Sequence, residues 1–468
     1  MMRAFCLLPL GAAVLLAGCA VGPDYQRPTV ITPPAFQEAG PWQVAVPKDT
    51  LPKDGWWKLF GDPVLDRLES QAASGSLTVQ AALARFDQAC AIARVSRAEL
   101  FPNLAFNGTG VRERLSGHRE VPPGSGHAAY ETNSIDLPLD LSYQIDVFGR
   151  VRRGYESARD LAQSQWADYQ NVVLSLQSEV AQDYFTLESL QAQHDLLVRT
   201  VDLRRQTLDL VQKRRNGGAS DDLDVYQAEA DLASVESQVL AVDQNAAQLR
   251  HALAVLLGSL PEDFSFTAAP LAGVPPPVPA GMTSELLERR PDVAAAERTL
   301  ASINALIGFA KAAFFPTIGL TGEAGLNSVA FDSLLHSSSR EWSIGPFLSV
   351  PVFQGGQNTA NYQRAKAAYA EQLALYRHQV LVAFQDVDDG LSGLRYLAAQ
   401  AEALGRAATA SQKAADLSVV RYKQGVADYF EVIDAQRIAL DNELQATQLQ
   451  GQRFVASVQL VKALGGGW

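Results

Sequence analysis

The residues best placed to do chemistry are three carboxylates near the end of the chain, Asp428, Glu431 and Asp434, each three positions apart. Three residues is close to one helical turn, so Glu431 and Asp434 share a helix face. Carboxylates so placed disfavour one another's ionisation and attract cations. Asp428-x-x-Glu431 reads first as a capping box, with Asp428 capping a helix and Glu431 reaching back; Asp221-x-x-Asp224 is the corresponding arrangement earlier in the chain. No cap needs Asp434. None of these acids has a catalytic partner in the sequence. The six histidines are scattered without an HExxH pair, and neither a GxxxxGK[ST] loop nor a GxSxG elbow occurs. With no nucleophile–base–orienter set and no metal spacing, an enzyme is not expected. A net charge of −12 speaks against a nucleic-acid partner. At 47% hydrophobic and 19% charged residues, the 468-residue chain is neither disordered nor uniformly apolar.

A second reactive position lies at the start. Arg3 precedes an apolar run from Phe5 to Ala17, too short to cross roughly 30 Å of hydrocarbon but suited to a signal sequence. It ends in Leu16-Ala17-Gly18-Cys19, which resembles the bacterial lipobox. There the thiol is acylated, the leader (residues 1–18) is removed, and the new amine is acylated too. Covalent lipid on Cys19 is therefore expected, with no other cofactor, and more than one acyl chain anchors stably. Ala20, in place of an Asp, implies sorting to the outer membrane. Cys90 stands alone in an Ala-rich helix and reads as a buried filler.

The elements that position these groups form one pattern written twice. Gly218-Ala-Ser-Asp-Asp-Leu-Asp-Val225 lies over Gly425-Val-Ala-Asp-Tyr-Phe-Glu-Val432 at an offset of 207, and Leu257-Gly258 lies over Leu464-Gly465. Prolines mark the punctuation, 7 in 19–55 and 6 in 259–283. The expected organisation is an extended anchored segment 19–63, a first repeat 64–258, a linker 259–283, and a second repeat 284–468. Each repeat orders helix, two strands, a long helix and a second helix. The long helices span 150–213 and 357–423, both free of proline, and the following ones 221–257 and 428–464. Tyr169, Val173, Leu176, Val180, Leu187, Leu190, Leu197, Val201, Leu208 and Val211 recur at a mean period near 3.5, the coiled-coil seam. Sixty-four residues at 1.5 Å each make a rod of roughly 95 Å, too long for a globular core. Gly218 and Gly425 sit where each rod turns.

The strands carry the opposite period. Ile135, Leu137, Leu139, Leu141, Tyr143, Ile145 and Val147 alternate with polar residues or Pro138 over 134–148, with weaker partners at 102–112, 316–326 and 342–353. A half-buried soluble sheet alternates in the same way; the lipobox and the lack of a twenty-residue apolar helix favour a membrane barrel. Four strands cannot close one, because open edges in lipid leave backbone groups unpaired, so chains must associate. Spacing alone leaves their number open. The segment 113–133 between strands, with His118 and His127, is expected to be an exposed loop.

Taken together, Cys19-Ala-Val-Gly-Pro-Asp-Tyr-Gln-Arg-Pro28, Trp56-Trp57, Gly61-Asp62, Phe101-Pro102, Asp146-Val-Phe-Gly-Arg150, Arg289-Arg-Pro-Asp292, Phe315-Pro316 and Gly425-Val-Ala-Asp428 leading to Asp434-Ala-Gln436 resemble the outer-membrane factor (TolC-like) family, NodT/OprM type, over essentially the whole chain. The resemblance implies a homotrimer whose twelve strands form one outer-membrane barrel, continued by a twelve-helix periplasmic tunnel. It implies a passive, gated conduit for small toxic solutes, working with a periplasmic adaptor and a proton-driven inner-membrane pump. It also implies that Glu431 and Asp434 ring the constriction and that Asp224 and Tyr422 belong to the polar links of the closed state. Where the family often has Arg in that network this chain has Ala427, with Arg421 and Lys423 the nearby candidates to substitute. Two other readings remain: the duct of an ATP-driven protein or peptide secretion system, and a non-conducting coiled-coil scaffold lipoprotein.

Overall fold

The computed structural model describes residues 20–30, 36, 55–119, 128–278 and 289–466. The leader, Cys19, most of the segment 31–54, His127 and the end of the linker lie outside the described residues. A short 3-10 turn, Trp56–Phe60, precedes α1 (Pro63–Gly75) and α2 (Leu77–Ala98). Three strands follow, β1 (Asn103–Phe106), β2 (Thr109–Leu115) and β3 (Tyr130–Ile145), then α3 (Arg150–Asn216) and α4 (Asp222–Leu256). The second half repeats the plan with α5 (Pro291–Ala312), β4 (Thr317–Ser328), β5 (Arg340–Ser349), α6 (Gln357–Lys423) and α7 (Tyr429–Ala463). The two long helices, α3 and α6, have 67 residues each. At 1.5 Å per residue each is roughly 100 Å long. No helix among the described residues is long and apolar enough to cross a membrane.

By contacts the chain divides into two units, and each draws on both sequence repeats: 1–28, 85–165 and 296–376 form one, 29–84, 166–295 and 377–468 the other. The first unit is built on an antiparallel sheet in the order β1-β3-β4-β5, with β2 also on β3. The strand expected over 102–112 is broken at Asn107-Gly108, and Pro138 is the reason. β1 and β2 hold one register along β3, with Phe106 opposite Leu139 and Thr109 opposite Asp136. In the gap Asn107 donates to the Pro138 carbonyl at 3.2 Å, but Pro138 has no N–H to return. Gly325 faces Pro138 on the other side, where a Cβ would lie 2.6 Å from the Leu137 carbonyl oxygen. The hairpin is longer than expected: β2 reaches Leu115 and β3 begins at Tyr130, tied by an Arg112–Glu131 ion pair. Residues 120–127, within the expected loop, lie outside the described residues. β5 ends at Ser349 rather than 353.

One face of this sheet aligns Leu139 with Ala324 and Trp342, and Leu141 with Gly322 and Ile344. Trp342 is 77% and Leu348 65% exposed. The other face aligns Asp140 with Glu323 and Ser343, and Asp136 with Asn327, whose amide donates to it. Such a sheet is apolar on one side, polar on the other, and open at both edges. Water suits neither its Trp342 face nor its unpaired edges. The post-leader segment docks on the same unit. Val21 N–H donates to the Phe148 carbonyl (3.0 Å) and Asn304 to the Pro23 carbonyl (3.0 Å). Arg153 holds Asp24 at 2.6 Å, and the Tyr25 hydroxyl donates to Glu297 at 2.7 Å. Gly22 crosses Gly308 so closely that a Cβ would strike its backbone.

The second unit has an aromatic core in which Trp56 meets Trp57 and Phe60, and Phe60 meets Phe185 and Phe454. Along α3, seam residues Leu176, Val180, Leu187, Leu197, Val201 and Val211 are buried, and Tyr169, Val173, Leu190 and Leu208 half-buried. Around the middle of the helix burial spreads off the seam to Tyr184, Phe185, Glu188 and Ser189. The Arg-Pro-Asp motif acts as a hub. Arg290 donates to the Ala463 carbonyl at 3.1 Å and pairs with Asp292 (2.6 Å) and Asp386 (2.9 Å), joining the end of α7 to α5 and α6. Burial works against the Asp292 carboxylate, but Arg290 outweighs it and holds the group below the usual range.

Candidate pore gate at the helical turns

Both long helices end in the same way. Gly218 (φ +71°) and Gly425 (φ +77°) adopt the left-handed conformation. Gly218 N–H donates to the Arg215 carbonyl (3.0 Å) and Ala219 N–H to Arg214 (2.8 Å). Gly425 N–H donates to Tyr422 (3.0 Å) and Val426 N–H to Arg421 (3.1 Å). This pair of bonds is the Schellman motif, and a side chain at either glycine would strain it by roughly 1–2 kcal/mol. The following helices are capped alike. Asp221 accepts from Asp224 N–H at 3.1 Å, and Asp428 from Glu431 N–H at 2.9 Å.

The capping box is only half made. Glu431 does not reach back to Asp428; its carboxylate pairs with Arg421 Nε at 3.0 Å, across the turn. Arg214, the repeat partner of Arg421 (421 − 214 = 207), stands 4.3 Å over the Tyr422 ring and donates to the Tyr422 carbonyl at 2.8 Å. Tyr422 is 3% exposed and packs with Tyr429, Val211, Ala228, Val432 and Ile433. Burial raises its phenol, with the Ser220 hydroxyl and Arg214 opposing and Asp224 adding to the rise. Asp224 accepts a short hydrogen bond from Ser220. Tyr422 and Asp224 are thus brought to one place, with Ser220 between them. Asp434 is exposed and makes no hydrogen bond or ion pair among the described residues.

One charged group was missed in the sequence. Asp231 on α4 pairs with Arg204 on α3 at 2.7 Å, both side chains 4% exposed, and with Arg437 on α7 at 2.8 Å. The spacing of a single Asp and two Arg on three helices carries no local signal. Arg214 and Arg421, by contrast, could have been found, since the 207-residue offset superposes them. Among the described residues no group of His, Cys, Asp or Glu could hold a metal ion, and Cys90 is half-exposed rather than buried.

The chain matches the outer membrane efflux protein family over residues 68–259 and 282–466, and belongs to it. The toluene efflux pump outer membrane protein TtgI of Pseudomonas putida is 32% identical over 466 residues, 98% of each chain. Cation efflux system protein CusC of Escherichia coli O157:H7 is 31% identical over 465 residues, covering 99% of this chain and 98% of CusC. The solved structure of the outer-membrane channel OprN superposes with a TM-score of 0.89 at 30% identity, over 96% of this chain and all of that one. The fold is therefore TolC-like: repeated halves of long helices and barrel strands. The protein is an outer-membrane channel of the tripartite efflux type, not an enzyme, with its helices extending into the periplasm.

Proposed function

We propose that three copies of this chain form a gated conduit for small toxic solutes, fed by a periplasmic adaptor and a proton-driven inner-membrane pump. The observation that carries the cargo class is the full-length likeness to proteins named for toluene and cation efflux. The sheet supports the assembly: four strand positions per chain with open edges become a closed set of twelve in a trimer, which removes every edge from lipid. The Gly218 and Gly425 turns would form the periplasmic mouth, with Asp434 and Glu431 lining it and the Tyr422–Ser220–Asp224 cluster holding it closed. Arg421, bonded to Glu431, does the work for which the family often uses an arginine at the Ala427 position.

A photo-crosslinking amino acid at position 427 in living cells tests the docking end. Capture of an adaptor or proton-driven pump is the expected result. Capture of an ATP-driven transporter would move the cargo to proteins or peptides. The lipid anchor at Cys19 is the second part of the proposal, supported by the way residues 20–28 dock beside the base of the sheet. Cys19→Ser is expected to lose radioactive palmitate and to mislocalise; undiminished labelling would rule the anchor out.

A further inference from the structure

A single hydroxyl in the second unit touches two carboxylates. Tyr184 Oη lies 2.6 Å from Asp62 Oδ2 and 2.8 Å from Glu188 Oε1. A phenol has one proton to donate, so two ionised acids cannot both be satisfied by it. A further proton must sit on one of them. The geometry assigns it. Asp62 Oδ1 accepts the Val64 and Leu65 N–H groups at 2.7 and 3.2 Å, at the positive end of α1. Those donors fix Asp62 as the capping acceptor of α1, so it is the member of the pair that receives the Tyr184 proton. Glu188 has no such donors; it is 6% exposed, on the same face of α3 as Tyr184.

We propose that Asp62, Tyr184 and Glu188 form a pH-sensitive joint that ties the start of α1 to α3. In the closed joint Glu188 donates to Tyr184, and Tyr184 donates to Asp62. When Glu188 loses its proton, the chain of donors is one short and two like charges face one phenol. The cap of α1 and the Trp56–Phe60 turn before it are then held less firmly. Burial raises Glu188 to about 7, Tyr184 lowers it in part, and the Asp62 charge raises it again. These are the titratable groups that act on it. The remaining neighbours contribute Phe266, 5.9 Å from the Tyr184 ring, and the Leu271 N–H on the Glu188 backbone carbonyl. The acids of that last segment, Glu262 and Asp263, are exposed. The joint therefore switches across the neutral range, whereas an ordinary glutamate has titrated by about pH 5.

The sign of the effect on stability is fixed. A folded-state value raised above the unfolded one means stability is complete below about 4.3 and is lost as pH rises through about 7. The test uses the full-length protein in detergent, followed by infrared spectroscopy of the protonated carboxyl stretch from pH 4 to 9. A band absent from Glu188→Gln, with a midpoint near neutrality, is expected. Asp62→Asn keeps the cap oxygen but removes the charge, and should move the midpoint down by about one unit. The melting temperature of the wild type should fall between about pH 5 and 7, and that of Glu188→Gln should fall less, since Asp183, which burial raises to about 6, and Glu69, which it raises to about 9, still contribute. A Glu188 midpoint between 4 and 5 that ignores Asp62→Asn would overturn the joint. If Glu188→Gln does not fold, the downward shift in Asp62→Asn decides the matter, and its absence overturns the joint.

Discussion

Replacing Glu431 by Gln and Asp434 by Asn together is expected to remove most of the open channel's preference for cations. The two positions are unequal. Arg421 already offsets Glu431, whereas Asp434 has no hydrogen-bond or ion-pair partner among the described residues. In a trimer, three uncompensated charges would therefore set the field. At about 8 Å from the axis, one Debye length at physiological salt, each is worth roughly 0.5 kcal/mol in water. Three give about 1.5 kcal/mol, close to a tenfold enrichment of cations at low salt, and screening reduces this to about two- to threefold near 0.15 M. Asp434→Asn alone should account for most of the loss and Glu431→Gln for little. Arg421→Gln should shift selectivity the other way by freeing Glu431. Reversal potentials in a salt gradient read all of these directly, and unchanged values in the double variant would show that the carboxylates line no constriction.

The largest effect on stability is expected at Asp231. Among the described residues its carboxylate is the one ion-pair partner of Arg204, a guanidinium 4% exposed that burial already pulls below its usual value. Asp231→Ala leaves that charge without compensation inside a helical interface. Breaking a buried pair from one side costs about 3–5 kcal/mol. Arg437 loses its contact as well, but at 59% exposure water replaces most of it. Replacing both members, Arg204→Met with Asp231→Leu, should recover most of the loss, because the uncompensated charge is gone. Urea midpoints followed by helical circular dichroism separate the two cases. Equal destabilisation by the single and double variants would mean that packing, not charge, is what Asp231 provides.

Long-period features were legible in the sequence because they are written many times over. The 3.5-residue seam of α3 repeats across ten positions, and the turn glycines recur at one offset. The inward spread of burial at Tyr184, Phe185 and Glu188 was not legible. It depends on Trp56, Phe60 and Phe454 arriving from distant parts of the chain, and no local period records that. The broken first strand could have been anticipated, since Pro138 inside an alternating run denies one neighbour a hydrogen bond; which neighbour loses it depends on register. At the helical turns, the cap aspartates followed from spacing alone. The rotation of Glu431 away from its own cap did not, because Arg421 competes for it across the turn and an ion pair at 3.0 Å displaces a weaker contact to backbone. The Asp231 network lay beyond reach for the same reason as the aromatic core: three helices each contribute one residue.

Electrical conductance of the purified full-length protein in a planar lipid bilayer tests the central claim most directly. A trimeric duct with a closed mouth predicts discrete cation-preferring current steps that grow when Asp224→Ala and Tyr422→Ala, which removes the ring packed on Tyr429 and Arg214, loosen the turn cluster. A protein that assembles and inserts but never conducts, with or without those substitutions, would contradict the conduit and leave a tethering scaffold in its place.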